Sequence, residues 1–248
     1  RVNEAGTVTV QDFKAEFESR VAGTGHVLSL LAPWQDPANL KRAWCLFEIL
    51  VAQTLKEAGR CKLEIIMPPD EETSFRRALV EEFDSIAQSV SRIDVANAKA
   101  SVAQDEKAIK QAVQEQMGFE EVNKVVMGPI REWLADKGRA ALAELPQSER
   151  GTSVLINQLG LLLQDQGKLE QAELLYREAM EACRATLGNR HPGTLISIGN
   201  LGSLLQAQGK LDEAEPLYRE AVEASRATLG DEHPNTLESI NQLGQLLK

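Results

Sequence analysis

Between Ile198 and Ala221 the apolar residues fall at three- and four-residue intervals: Ile198, Leu201, Leu204 and Leu205, then Leu211, Ala214, Leu217, Tyr218 and Ala221. That period lays one apolar stripe along each of two helices. Gly209 is placed to end the first helix and Gly230 the second. The same pattern stands about 42 residues earlier and starts again after Pro234, so that 151–192 and 193–234 are two copies and 235–248 the first helix of a third. A repeat of this period predicts a solenoid, in which helix pairs stack and present a shared surface.

Residues 1–146 follow another rhythm. Short apolar runs at 26–31 and 63–67 alternate with longer helical patterns, which predicts parallel strands joined by crossover helices. Pro33 and Pro37 close the first strand and open a helix over about 39–58. Pro68 and Pro69 close the second. Asp70, Glu71 and Glu72 then put negative charge at the next helix start, where they read as dipole partners rather than a metal site. Phe75, Leu79, Phe83 and Ile86 form one stripe, Val102, Ile109 and Val113 another, and Val122, Val125, Val126, Ile130, Trp133 and Leu134 a third. The stretch 96–108 fits either a solvated helix or a loop, 7–10 is a short β-prone run, and Pro146 with Ser148 reads as a linker.

The repeats carry Leu-Gly at Leu159-Gly160, Leu201-Gly202 and Leu243-Gly244, followed by Ala172 and Ala214, Tyr176 and Tyr218, Ala179 and Ala221. This resembles the tetratricopeptide repeat. The unit is longer than the usual ~34 residues because the second helix runs on into ATLG and an HPxT turn, a form similar to the repeat of kinesin light chains. That resemblance implies an array that binds peptide segments of other proteins in a concave groove. The first helix of each pair would line the groove and bring Asn157, Gln164, Asn200, Gln206, Asn241 and Gln245 to the ligand, amides being both donor and acceptor to a peptide backbone. The same six residues also read as ordinary polar surface.

The segment LKRAWCLFEI, residues 40–49, resembles the WCLxEL segment of Toll/interleukin-1 receptor (TIR) domains. The resemblance implies a partial TIR- or flavodoxin-like parallel sheet with added helices over 1–146, followed by the all-α tetratricopeptide solenoid over 147–248. In members that cleave NAD, the glutamate of this segment stabilises the charge that develops on the ribose as nicotinamide leaves; carried over, that residue is Glu48. NAD would then be a substrate, and no resident cofactor is implied. The plainer reading makes Trp44, Cys45 and Ile49 the buried face of a helix and Glu48 an acid near Lys41 and Arg42. A fuller similarity extends over most of the chain, to proteins in which a TIR-like region precedes kinesin light chain-type repeats. No sustained heptad pattern lies in 1–150, so attachment to a kinesin heavy chain lacks its usual coiled coil.

Composition narrows the partners. A net charge of -10 and a pI near 5.0 argue against nucleic acid and anionic membrane as ligands. Cys45, Cys61 and Cys183 are few, odd in number and far apart, as expected of free thiols in the cytoplasm. No GxxxxGK[ST], HExxH, GxSxG or CxxC motif occurs. His191 and His233, each before proline at a repeat turn, are expected to cap helices rather than bind metal. Glu173 with Arg177, and Glu215 with Arg219, are expected as i,i+4 pairs. A start at Arg1 and a stop after half a repeat are what a fragment would show, and Ile240, Leu243 and Leu247 are expected to lack cover.

Overall fold

The computed structural model describes residues 9–91 and 93–247. Thr7 and Val8 of the β-prone run, and Lys248 of the half repeat, lie outside the described residues. The chain divides into two compact units, Arg1–Ala78 with Asp84–Leu134 and Leu79–Phe83 with Ala135–Lys248.

In the first unit, helix α1 (Val10–Thr24) opens on a capping box. The Asp12 N–H donates to the Thr9 hydroxyl and the Thr9 N–H to the Asp12 carboxylate, so two donors of the first turn are satisfied reciprocally and Val10 is helical rather than extended. Strands β1 (His26–Leu30) and β2 (Lys62–Ile66) run parallel with His26 opposite Lys62. Helix α2 (Ala43–Glu57) connects them, giving the strand, helix and strand expected over 26–67. The sheet has only these two strands among the described residues. The α/β layer is therefore small, and the chain is mostly helical: α3 (Pro69–Glu81), α4 (Phe83–Ser91), α5 (Ala103–Gln116) and α6 (Gly118–Glu144) follow.

Three expectations need correction. The helix foreseen over 39–58 begins at Ala43: 38–41 is a 3-10 turn, and Arg42 is extended in an isolated parallel bridge to Lys99. Lys99 N–H donates to the Lys41 carbonyl (2.9 Å) and Ala43 N–H to the Lys99 carbonyl (2.8 Å), pairing that takes this backbone out of the helix. The stretch 96–108 is neither one helix nor one loop but the end of a 3-10 turn (Val95–Asn97), the bridge and the start of α5. The stripe from Phe75 to Ile86 is broken at Glu82 into α3 and α4. Phe75 packs beside Trp34 and Trp133, whereas Phe83 reaches toward Gly138.

The core of this unit gathers on α2. Leu46, Phe47, Ile49, Leu50 and Val51 are buried with Leu63 of β2 and Val126 and Ile130 of α6. Phe13 of α1 covers Trp44 with ring centroids 4.3 Å apart. Each such buried side chain contributes roughly 1.5–3 kcal/mol.

The second unit is a run of helical hairpins. After the short α7 (Gln147–Arg150), α8 (Val154–Asp165) pairs with α9 (Leu169–Leu187), α10 (Pro192–Ala207) with α11 (Leu211–Leu229), and α12 (Pro234–Leu246) follows. The linker expected at Pro146 and Ser148 is thus partly helical, and Arg150 is tied to Glu178 by two hydrogen bonds (2.6 and 3.2 Å). Within each hairpin a tyrosine ring lies on a glycine. A Cβ on Gly160 would stand 2.4 Å from Tyr176, and one on Gly202 2.8 Å from Tyr218. The repeated Leu-Gly is therefore the seat of the repeated tyrosine. Gly209 holds the turn after α10 at φ +76°, the left-handed conformation expected of it. His191 Nδ1 accepts from Gly193 N–H and His233 Nδ1 from Asn235 N–H, so both histidines are N-caps. Leu201 is fully buried, but its counterpart Leu243 on α12 is half-buried and Leu247 is exposed.

Candidate functional site

The first helices of the hairpins share one face. Val154, Asn157, Leu161 and Gln164 fall on one side of α8 at helical spacing, and Ile196, Asn200, Ser203 and Gln206 hold a similar stripe on α10. Helix α10 touches both α8 and α12, so the three first helices form a row. Second helices are linked instead by long side chains: Arg177 donates to Glu213 (2.8 Å), Lys210 to Glu173 (2.7 Å) and Arg184 to Glu220 (2.6 Å). The expected i,i+4 pairs, Arg177 to Glu173 and Arg219 to Glu215, are also present, each at 2.7 Å.

Of the six amides singled out in the sequence, two meet. Asn200 Nδ2 donates to Asn157 Oδ1 at 3.3 Å across the seam between α8 and α10. At the next seam a Cβ on Gly199 would stand 3.7 Å from Gln242 Oε1, so Gln242 takes the place that Asn200 holds one repeat earlier. Gln206 is turned to its own hairpin, where its Oε1 accepts from the Tyr218 hydroxyl (3.1 Å). Gln164 is half-buried, and Asn241 and Gln245 are exposed on α12.

Sequence reasoning missed the apolar members of this face. Val154, Leu161 and Ile196 are 64%, 52% and 57% exposed, too open for core residues. Their signal was available, since Val154 and Ile196 occupy equivalent repeat positions off the buried stripe. The face is also poor in charge. Helices α8, α10 and α12 contain no Lys or Arg, and their acids are Asp165 and Glu238 alone.

Glu48 lies half-buried on α2, and burial pushes its carboxyl above the usual carboxylate range while Arg42 pulls it partly back. Its neighbours on the helix are structural: Trp44 Nε1 donates to Asp105 Oδ2 (3.2 Å), Leu46 and Phe47 are core, and burial raises the Cys45 thiol. A cavity of about 440 Å³ opens in this unit between the segment that follows β1 and the end of α4 with its following turn, and Glu48 is not among the residues that line it. Among the described residues no cluster of His, Cys, Asp or Glu is arranged to hold a metal ion, and no helix is long and apolar enough to cross a membrane.

No curated protein is found to match the chain. Among solved structures it is similar to the crystal structure of BtubC (BKLC) from P. vanneervenii, at 17% identity and a TM-score of 0.44 over 96% of this chain and 84% of that one. The family model for the tetratricopeptide repeat matches residues 152–227 and 197–248. The hairpins from α8 onward are therefore tetratricopeptide repeats.

Proposed function

We propose that the protein is an interaction adaptor whose repeats, over 147–248, capture a peptide segment of another protein along α8, α10 and α12, with the TIR-like region of 1–146 as a separate domain. The observation that carries the reading is the row of exposed Val154, Leu161 and Ile196 interleaved with Asn157, Asn200, Asn241 and Gln245. Tetratricopeptide repeats generally serve protein–protein interaction, and the packing supports the use of this face. First helices that touch directly, beside second helices that reach one another through long ion pairs, curve an array with the first helices inside. Apolar side chains would anchor the peptide and amides would bind its backbone. Without Lys or Arg the face does not suit an acidic or carboxylate-ended segment, so the ligand is a stretch with spaced apolar residues and no net negative charge. The repeats are kinesin light chain-like in form, the compartment we assign is the cytoplasm, and neither kinesin heavy chain, nucleic acid nor membrane is a proposed partner.

The test is binding of the full chain to an array of neutral apolar and acidic peptides, followed by affinity measurement on the best binder. Asn157→Ala with Asn241→Ala should weaken capture roughly tenfold, the loss of one or two hydrogen bonds, with the chain still folded by circular dichroism despite the lost Asn200–Asn157 bond. Equal affinity in the double variant would remove the assignment of this face. Release of nicotinamide from NAD that vanishes in Glu48→Ala would instead establish an NAD glycohydrolase with the repeats as its recruitment module.

A further inference from the structure

The cavity in the first unit has the build of a small-molecule site and shares no residue with the repeat face. Its volume of about 440 Å³ lies in the range of ligand pockets, roughly 300–1,000 Å³. It sits where the chain leaves the carboxyl end of β1, the side on which parallel strands present ligands. Leu40, Val90 and Ala98 are buried in its wall, with Trp34, Pro37 and Ile93 around them.

Its walls are fixed before any ligand arrives. The Lys41–Lys99 and Ala43–Lys99 backbone bonds join the two sides. Trp34 is held from outside the cavity: its N–H donates to Glu71 (2.8 Å), its Nε1 to Ser74 (3.2 Å), and Phe75 meets the ring edge-on at 5.5 Å. Asp94 closes the far turn by accepting from Ala96 N–H (3.0 Å), Asn97 (2.6 Å) and Asn123 (2.9 Å).

Among the described residues, every ionisable group in the lining already has a partner. Asp36 pairs with Lys41, Lys99 reaches Glu106 at 3.4 Å, and Asp94 has its three donors. An anionic ligand would lose its hydration with no unpaired Lys or Arg among the described lining residues to replace it. We propose that the cavity binds an uncharged, largely apolar molecule with a flat ring system that packs on Trp34.

Two fluorescent probes with nearly the same body separate the alternatives on the full chain: neutral N-phenyl-1-naphthylamine and the sulfonated 8-anilinonaphthalene-1-sulfonate. The neutral probe should bind saturably, one per chain, and the sulfonated one at least roughly tenfold more weakly, as expected of an unpaired buried charge. Trp34→Leu, chosen to keep the fold, should weaken the neutral probe by about threefold or more through loss of ring packing. Ala98→Trp should fill the site and abolish binding, with circular dichroism reporting whether the variant is folded. Failure of the neutral probe to saturate, equal affinity for both probes, or unchanged binding in folded Trp34→Leu would each overturn the proposal.

Discussion

A methyl group added at Gly202 would stand 2.8 Å from the Tyr218 ring, and that ring cannot retreat easily because it is almost fully buried with its hydroxyl bonded to Ser203 and Gln206. Gly202→Ala should therefore destabilise the array by about 1–3 kcal/mol, the usual cost of overpacking. Gly244, the same repeat position on α12, has open space over it. There the same change should be neutral or stabilising by up to about 1 kcal/mol, since only the helix preference for alanine remains; paired denaturation curves decide. Glu48 offers a second test. Its folded carboxyl titrates above the ordinary value of 4.5 because burial penalises the charged form. The penalty is thus present at neutral pH, shrinks as pH falls through the raised value and is gone below the ordinary one. Glu48→Gln should raise the melting temperature at pH 7 by up to about 3 °C and leave it unchanged near pH 3.

Among the elements, the second helices depend on charge. Glu173 of α9 is held at about 2, first by the hydrogen bond from Lys210 and then by Arg177, with burial opposing both. A depressed folded value gives stability that is complete above the ordinary 4.5 and lost as pH falls from there through about 2. Glu173→Gln should cost about 1–2 kcal/mol at pH 7, and variant and parent should converge as pH approaches 2 in acid titrations of the melting temperature. Helix α12 should be the weakest of the array. Its Leu243 and Leu247 lack the burial of Leu201, so its amides should exchange with deuterium at least roughly tenfold faster than those of α10.

Across the whole molecule, what could be read from residues alone was what local periodicity writes. Each hairpin is specified by its own stripe, its Leu-Gly seat and its turn glycine, so 151–248 declared its helices plainly. Strand, helix and strand over 26–67 were legible for the same reason. The start of α2 was not, because Arg42 is drawn out of the helix by Lys99, a partner no local pattern reveals. The amide seam was half visible: Asn157 and Asn200 were both named, but they meet at a spacing of 43, one residue past the repeat, which only the stagger of adjacent helices explains. The cavity escaped because its two walls come from distant stretches, and the exposed Val154 and Ile196 because apolar residues on a helix are first read as core.

Ionic strength should act unequally on the repeats. Salt screens the Arg177–Glu213 and Arg184–Glu220 links that tie second helices together, while α8, α10 and α12 contain no Lys or Arg to screen. On the proposed reading, high salt would loosen the links between second helices and leave the binding face untouched: a captured segment would stay bound through an ionic pulse and leave only by competition or by unfolding of the repeats themselves.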